Sequence, residues 1–140
     1  MATFTSQIFE ILTLNGDNVG SSVTQTINNI NYVDNRILSV PTGSVTTLFT
    51  MDSVPGAGTF VTSSVKYVRV TNNSTITPIK LIVSSSTEAM SYLIATGSSY
   101  MMSSTKMTGS TSGLVFSDVK SVKIEPSGSS ASIEYYIVTA

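Results

Sequence analysis

An antiparallel β-sandwich is the fold this chain predicts, and three observations predict it. Turn signals built from Gly, Pro, Asn, Asp and Ser recur along the 140 residues, at the 8–12-residue spacing of sandwiches and barrels. Between them lie short runs rich in Val, Ile, Thr and Tyr, which suit a pleated, half-buried surface. No segment combines helical periodicity with capping residues. The expectation is a single all-β domain over residues 1–140, jelly-roll-like or Ig-like, with about nine or ten short strands.

The elements follow in order. Ala2 to Ser6 is short and polar and reads as a loose end. Gln7 to Leu14 alternates as a strand. A helical reading places Ile8, Ile11 and Leu12 on one stripe, but the β-branched content and the Asn15-Gly16 turn favour the strand. In Val19 to Val33 the apolar spacing is even from Val23 to Ile27 and odd from Ile27 to Ile30, which predicts a bulge or break near Asn28-Asn29. Asp34-Asn35 reads as a turn, followed by a short strand from Arg36 to Val40 that Pro41-Thr42-Gly43 closes. Val45 to Met51 alternates clearly, and Thr59 to Thr62 is a short strand after the flexible Pro55-Gly56-Ala57-Gly58 connection.

The stretch VKYVRVTNNSTITPIKLIV, from Val65 to Val83, is central. Val68 and Val70 share one face of its first run; Ile79, Leu81 and Val83 share one face of its second. Asn72-Asn73-Ser74-Thr75 carries turn chemistry, and Pro78 marks a strand start or an edge. The expectation is a β-hairpin. Ala89 to Ala95 and Tyr100 to Met102 are further strands. Residues 103–113, rich in Ser, Thr and Gly, read as a mobile loop. Leu114 to Phe116 leads into a second hairpin over residues 119–139, turning at Pro126 to Ser132.

The composition removes several function classes. The chain has no Cys and no His, so it lacks the commonest zinc ligands and the usual acid–base residue at neutral pH. Five Lys and two Arg are scattered, which argues against nucleic-acid binding by phosphate neutralisation. No apolar run approaches the length of a membrane span. The first residues lack the basic segment and cleavage site of a signal peptide, so the mature protein is expected to start near Met1. Charged residues are 11% of the chain, whereas Ser (25) and Thr (20) make up about a third of it, with a net charge of −1. Such a surface repels neighbours weakly. It reads either as merely neutral or as a surface largely used by subunit contacts.

No residue set carries a convincing chemistry. Ser103 precedes Lys106 by three residues, a spacing that serine abundance makes coincidental. Asp17 and Asp34 are the nearest approach to paired carboxylates, and Asp is common in turns. Asn15-Gly16-Asp17-Asn18 and Asp34-Asn35 are oxygen-rich but sparse in acids for a calcium loop. Asn72-Asn73-Ser74 and Asn73-Ser74-Thr75 match a glycosylation acceptor, as ordinary turn composition also does. Tyr32, Tyr67, Tyr92, Tyr100, Tyr135 and Tyr136 offer a sugar-stacking platform or half-buried aromatics. Tyr135 and Tyr136 alternate, so at most one enters the core. No catalytic, cofactor-binding or metal residues are assigned, and no cofactor is expected.

The run from Val65 to Val83, together with the closing run from Val119 to Val138, resembles the small β-sandwich virion proteins of tailed bacteriophages. The resemblance covers roughly residues 45–140. It implies a non-enzymatic structural subunit of a virus particle, most of all a capsid decoration (cement) protein, with a tail or neck component as the variant. Such a subunit folds in the host cytoplasm and assembles into the virion. It acts as a homo-oligomer, with a trimer favoured, on the major capsid protein or another virion protein, without nucleic acid or membrane. Residues 1–20 then read as an N-terminal arm that docks on a neighbour by strand addition. The alternative is a β-sandwich binding module of carbohydrate-binding or adhesin type, such as a tail receptor-binding domain.

Overall fold

A computed structural model of the protein describes residues 1–103 and 118–140. Those residues form thirteen strands and no helix. The first four are β1 (Ala2–Phe9), β2 (Thr13–Leu14), β3 (Asp17–Asn18) and β4 (Ser22–Ile30). Then come β5 (Tyr32–Val40), β6 (Thr46–Asp52), β7 (Thr59–Val61), β8 (Val65–Asn72) and β9 (Ile79–Ser84). The last are β10 (Ala89–Ile94), β11 (Ser99–Ser103), β12 (Ser121–Pro126) and β13 (Ala131–Thr139).

Two sheets face each other as a sandwich. One is ordered β10-β9-β12-β6-β7 and the other β11-β8-β13-β5. All their pairings are antiparallel except β6 with β7. The chain crosses repeatedly between sheets, so each contributes one apolar face to a shared core. Val68, Val70, Ile133 and Ile137 meet Phe49, Leu81, Val83, Val122 and Ile124 there. Phe49 anchors the centre, with its ring edge-on to Phe60 and tilted against Tyr135.

Two bulges enlarge the core beyond strict alternation. Val138 pairs with Tyr67 but Thr139 pairs with Val65, so the ladder skips Lys66. Val65 thereby turns inward beside Val68 and Val70. Likewise Val122 pairs with Phe49 and Lys123 with Thr47, leaving Leu48 as the extra residue. Leu48 and Phe49, adjacent in sequence, both enter the core.

The expected central hairpin is corrected. β8 and β9 lie in opposite sheets, joined by an arch that spans the roughly 10 Å between sheets. Alternation fixes which face a strand buries, not which neighbour it pairs with. Asn72 holds the arch. Its side chain is 0% exposed; Nδ2 donates to the carbonyls of Thr77 (2.9 Å), Ile94 (3.2 Å) and Ala95 (3.3 Å), while Oδ1 accepts from the Ser74 amide (3.0 Å). The expected hairpin over residues 119–139 is corrected in the same way, since β12 and β13 also belong to opposite sheets. Asp34-Asn35 is no turn but the middle of β5; the chain breaks instead at Asn31, after Asn29 with φ 60°. The ladder pairs Ala2 with Ile30 and Thr3 with Asn28, so Asn29 is the bulge residue that the odd apolar spacing predicts. The expected loop over 103–113 and the segment from Leu114 to Phe116 lie outside the described residues, apart from Ser103 at the end of β11.

Candidate functional site

The most conspicuous surface is a long β-ribbon outside the sandwich. Ala2 to Phe9 is a strand rather than a loose end, paired along its whole length with β4. The ribbon continues through the Glu10 amide bonded to the Ser21 carbonyl (2.8 Å), the Val19 amide bonded to the Leu12 carbonyl (2.9 Å), and the short β2–β3 pair. It turns at Asn15-Gly16, where φ is 53° and 92°, the left-handed values this dipeptide tolerates. The outlying unit therefore runs to Ile30, beyond the expected limit near residue 20. At Gly20 a Cβ would fall 1.9 Å from the Glu10 carbonyl oxygen, so only glycine permits that approach of the two arms.

The base of the ribbon is anchored on the outer face of the β11-β8-β13-β5 sheet. Phe4 packs at 4.9 Å from Tyr67 and 5.8 Å from Tyr136, measured between ring centroids. The Ser103 hydroxyl donates to Gln25 of β4. The far half is different. Every residue from Gln7 to Thr24 is exposed, including Ile8, Phe9, Leu12, Leu14, Val19, Val23 and, at 83%, Ile11. From Phe9 to the turn the ribbon extends about 20 Å. A two-stranded ribbon with both faces wet is marginal in water, and this one exposes its large apolar residues together.

A second feature lies where the outer edges of the two sheets meet. β5 and β7 border a cleft of about 310 Å³ lined by Tyr32, Asp34, Arg36, Pro55, Phe60 and Thr139, among others. The Asp34 carboxylate, in a residue only 8% exposed, accepts a hydrogen bond from the Tyr135 hydroxyl (3.1 Å) and an ion pair from Arg36 Nε (3.0 Å). Burial, and then the neighbouring carboxylate, push the Tyr135 phenol up to about 12. Its hydrogen bond with Asp34 pushes the Arg36 guanidinium above its usual range. At neutral pH the phenol is therefore neutral and the guanidinium charged. The trio can donate and accept hydrogen bonds, but neither the phenol nor the guanidinium is poised to exchange a proton near pH 7.

The residues singled out in the sequence scatter. Asp17 sits on β3 of the ribbon and Asp34 in the cleft of the sandwich, so they form no carboxylate pair. The Asn15–Asn18 stretch is the turn at Asn15-Gly16 followed by β3, and its Asn18 Oδ1 accepts the Gly20 amide (2.9 Å). No group of three or more metal-ligating side chains occurs among the described residues. Lys106, the partner proposed for Ser103, lies outside the described residues. Asn72 is fully buried and holds the arch, so of the two acceptor-like asparagines only Asn73 is exposed. The tyrosines divide among Tyr67 and Tyr136 under Phe4, Tyr92 against Tyr100 at one flank, and Tyr32 near Phe60 at the other. Tyr135 is the member of its pair that enters the core. The turn-like composition of Asp34-Asn35 hides the Asp34–Arg36–Tyr135 cluster in the sequence. Its signal is the i, i+2 spacing of Asp34 and Arg36, which shares a face once the segment is a strand.

Comparison with known proteins returns no matching family model, no matching curated protein and no matching solved structure.

Proposed function

We propose that the protein is a non-enzymatic structural subunit of a virus particle, of the capsid-decoration kind, that assembles as a symmetric homo-oligomer through its N-terminal ribbon. The observation that carries this reading is the cluster of exposed apolar residues on the far half of the ribbon. Several large apolar residues exposed on one water-facing element suit an interaction site. Low charge removes the repulsion that keeps subunits apart. A closed ring repeats one contact on each copy, so a modest contact suffices. The resemblance to phage virion sandwiches supplies the setting: the major capsid protein or another virion protein as the larger partner, and the virion as the destination.

The test is the double variant Ile11→Glu/Leu12→Glu, examined by sedimentation velocity and circular dichroism. The strand spectrum is expected to stay as in the wild type while the sedimentation coefficient falls as the ring comes apart. A variant that keeps the wild-type sedimentation coefficient contradicts the role given to the ribbon. The second reading, a glycan-binding module, is favoured by the cleft, which sets aromatic rims at Tyr32 and Phe60 beside a charged pair. It requires saturable glycan binding that Tyr32→Ala removes.

A further inference from the structure

The exposed edge of β5 is the longest edge strand of the sandwich: nine residues against three in β7, six in β10 and five in β11. Among the described residues it pairs only with β13. Edge strands are ordinarily blunted by Pro, by charges or by short length; β5 is long and has no Pro or Lys, and its two inward-facing charges, Asp34 and Arg36, are of opposite sign and already paired. Its middle reads Val33-Asp34-Asn35-Arg36-Ile37. That order is chemically palindromic: apolar, acidic, amide, basic, apolar.

We infer that β5 pairs antiparallel with β5 of a second copy about a two-fold axis through Asn35, joining the two four-stranded sheets into one of eight. In this register Asp34 lies opposite Arg36 of the second copy, and Arg36 opposite its Asp34. Val33 and Ile37, both exposed at 41% and 69%, cover each other on the outer face. Directly opposed residues on one face are the unit of sheet stabilisation, through opposite charges and through apolar pairs. Arg36 is equipped for this. It bonds its own Asp34 through Nε, which leaves both Nη groups as donors, and its side chain is 57% exposed. Two copies then close a ring of alternating carboxylates and guanidinium groups.

Other registers are penalised. A slip of one residue sets Asp34 opposite Asn35 or Ile37 and reverses the faces. A two-residue slip, which moves the axis by one residue, sets Asp34 against Asp34 or Arg36 against Arg36, and directly opposed like charges are destabilising. The contact is isologous, as a two-fold requires. It stands apart from the ribbon and does not rest on the role proposed for it.

The chain has no cysteine, which makes a clean test available in the full-length protein. In the variant Asn35→Cys each thiol faces its own copy across the axis, at a Cα separation of about 4.5–5.5 Å, within disulfide reach. In Ser39→Cys, on the same edge and face, the two thiols stand about 27 Å apart. Under mild oxidation, or with a short bismaleimide, Asn35→Cys is expected to form covalent dimer at least tenfold faster than Ser39→Cys. Adding Arg36→Glu is expected to bring that rate down to the Ser39→Cys level, while adding Ile11→Glu/Leu12→Glu leaves it unchanged. Cross-linking of Asn35→Cys less than tenfold faster than Ser39→Cys overturns the proposal, as does a rate indifferent to Arg36→Glu. A rate lost only with the ribbon variant assigns the contact to the ribbon instead.

Discussion

At the scale of single residues, stability concentrates in two buried polar groups. The Asn72 amide serves three carbonyls and one amide from two segments of chain, the arch at 74–77 and the end of β10 at 94–95. Replacing it by Ala strands those groups away from water, and leaving buried polar groups unpaired is costlier than a hydrogen bond is favourable. Asn72→Ala is expected to lose about 3 kcal/mol in denaturant unfolding. Asn72→Asp is expected to be at least as severe, because a carboxylate would face three carbonyl oxygens. Tyr135 is the second group. Its phenol is raised to about 12, above the ordinary value near 10, so the folded state holds that proton more tightly. The stability this contributes is fully present below about pH 10 and is lost as pH rises through about 12. Tyr100, pushed up to about 12 by burial and then by Tyr92, acts in the same window. Tyr135→Phe is expected to cost about 1–2 kcal/mol at pH 7, where the Asp34 carboxylate loses a donor. It is also expected to flatten the fall in stability between pH 10 and 12. An unchanged alkaline limb would show that the Asp34–Tyr135 contact does not govern it.

Elements show what a sequence can and cannot carry. Strand positions and buried faces were legible: Ile79, Leu81 and Val83 share a face as their spacing requires, and the odd step between Ile27 and Ile30 marks a bulge. Pairing was not legible. A run such as Val65–Asn72 alternates identically whether its successor returns in the same sheet or crosses to the other one, and both expected hairpins are arches. The deciding information lies in Asn72, a turn-forming residue by composition whose side chain points into the core instead. Asp34-Asn35 misled for the same reason, since turn chemistry in a sequence is a preference that a paired strand overrides. In the ribbon, the bulge of β4 is legible in the sequence, but its pairing with Ala2–Phe9 is not, because the polar start of the chain reads as a loose end. Phe4 is the ribbon's visible anchor. Phe4→Ala is expected to remove about 2 kcal/mol of local packing. In amide hydrogen exchange, protection should fall across residues 2–9 and 22–30 and persist at Val68 and Ile137. Equal loss at all these sites would mean that ribbon and sandwich open together.

Across the whole molecule, the sandwich and the ribbon divide the work. The sandwich is an apolar core whose cleft holds a charge pair and a neutral phenol. The ribbon carries apolar side chains into solvent, where a lone chain gains nothing from them. The free edge of β5 adds a second self-complementary surface. The two proposed contacts, one two-fold and one cyclic, together close a dihedral assembly or extend into a shell. The central claim is that these surfaces exist to be covered by other subunits. Light scattering of the purified full-length protein across a hundredfold dilution measures this directly. The expected result is a single mass that is an even multiple of 14.8 kDa, a hexamer where a trimeric ribbon ring pairs through its β5 edges, persisting through the series. A mass of one chain at every concentration would contradict the account.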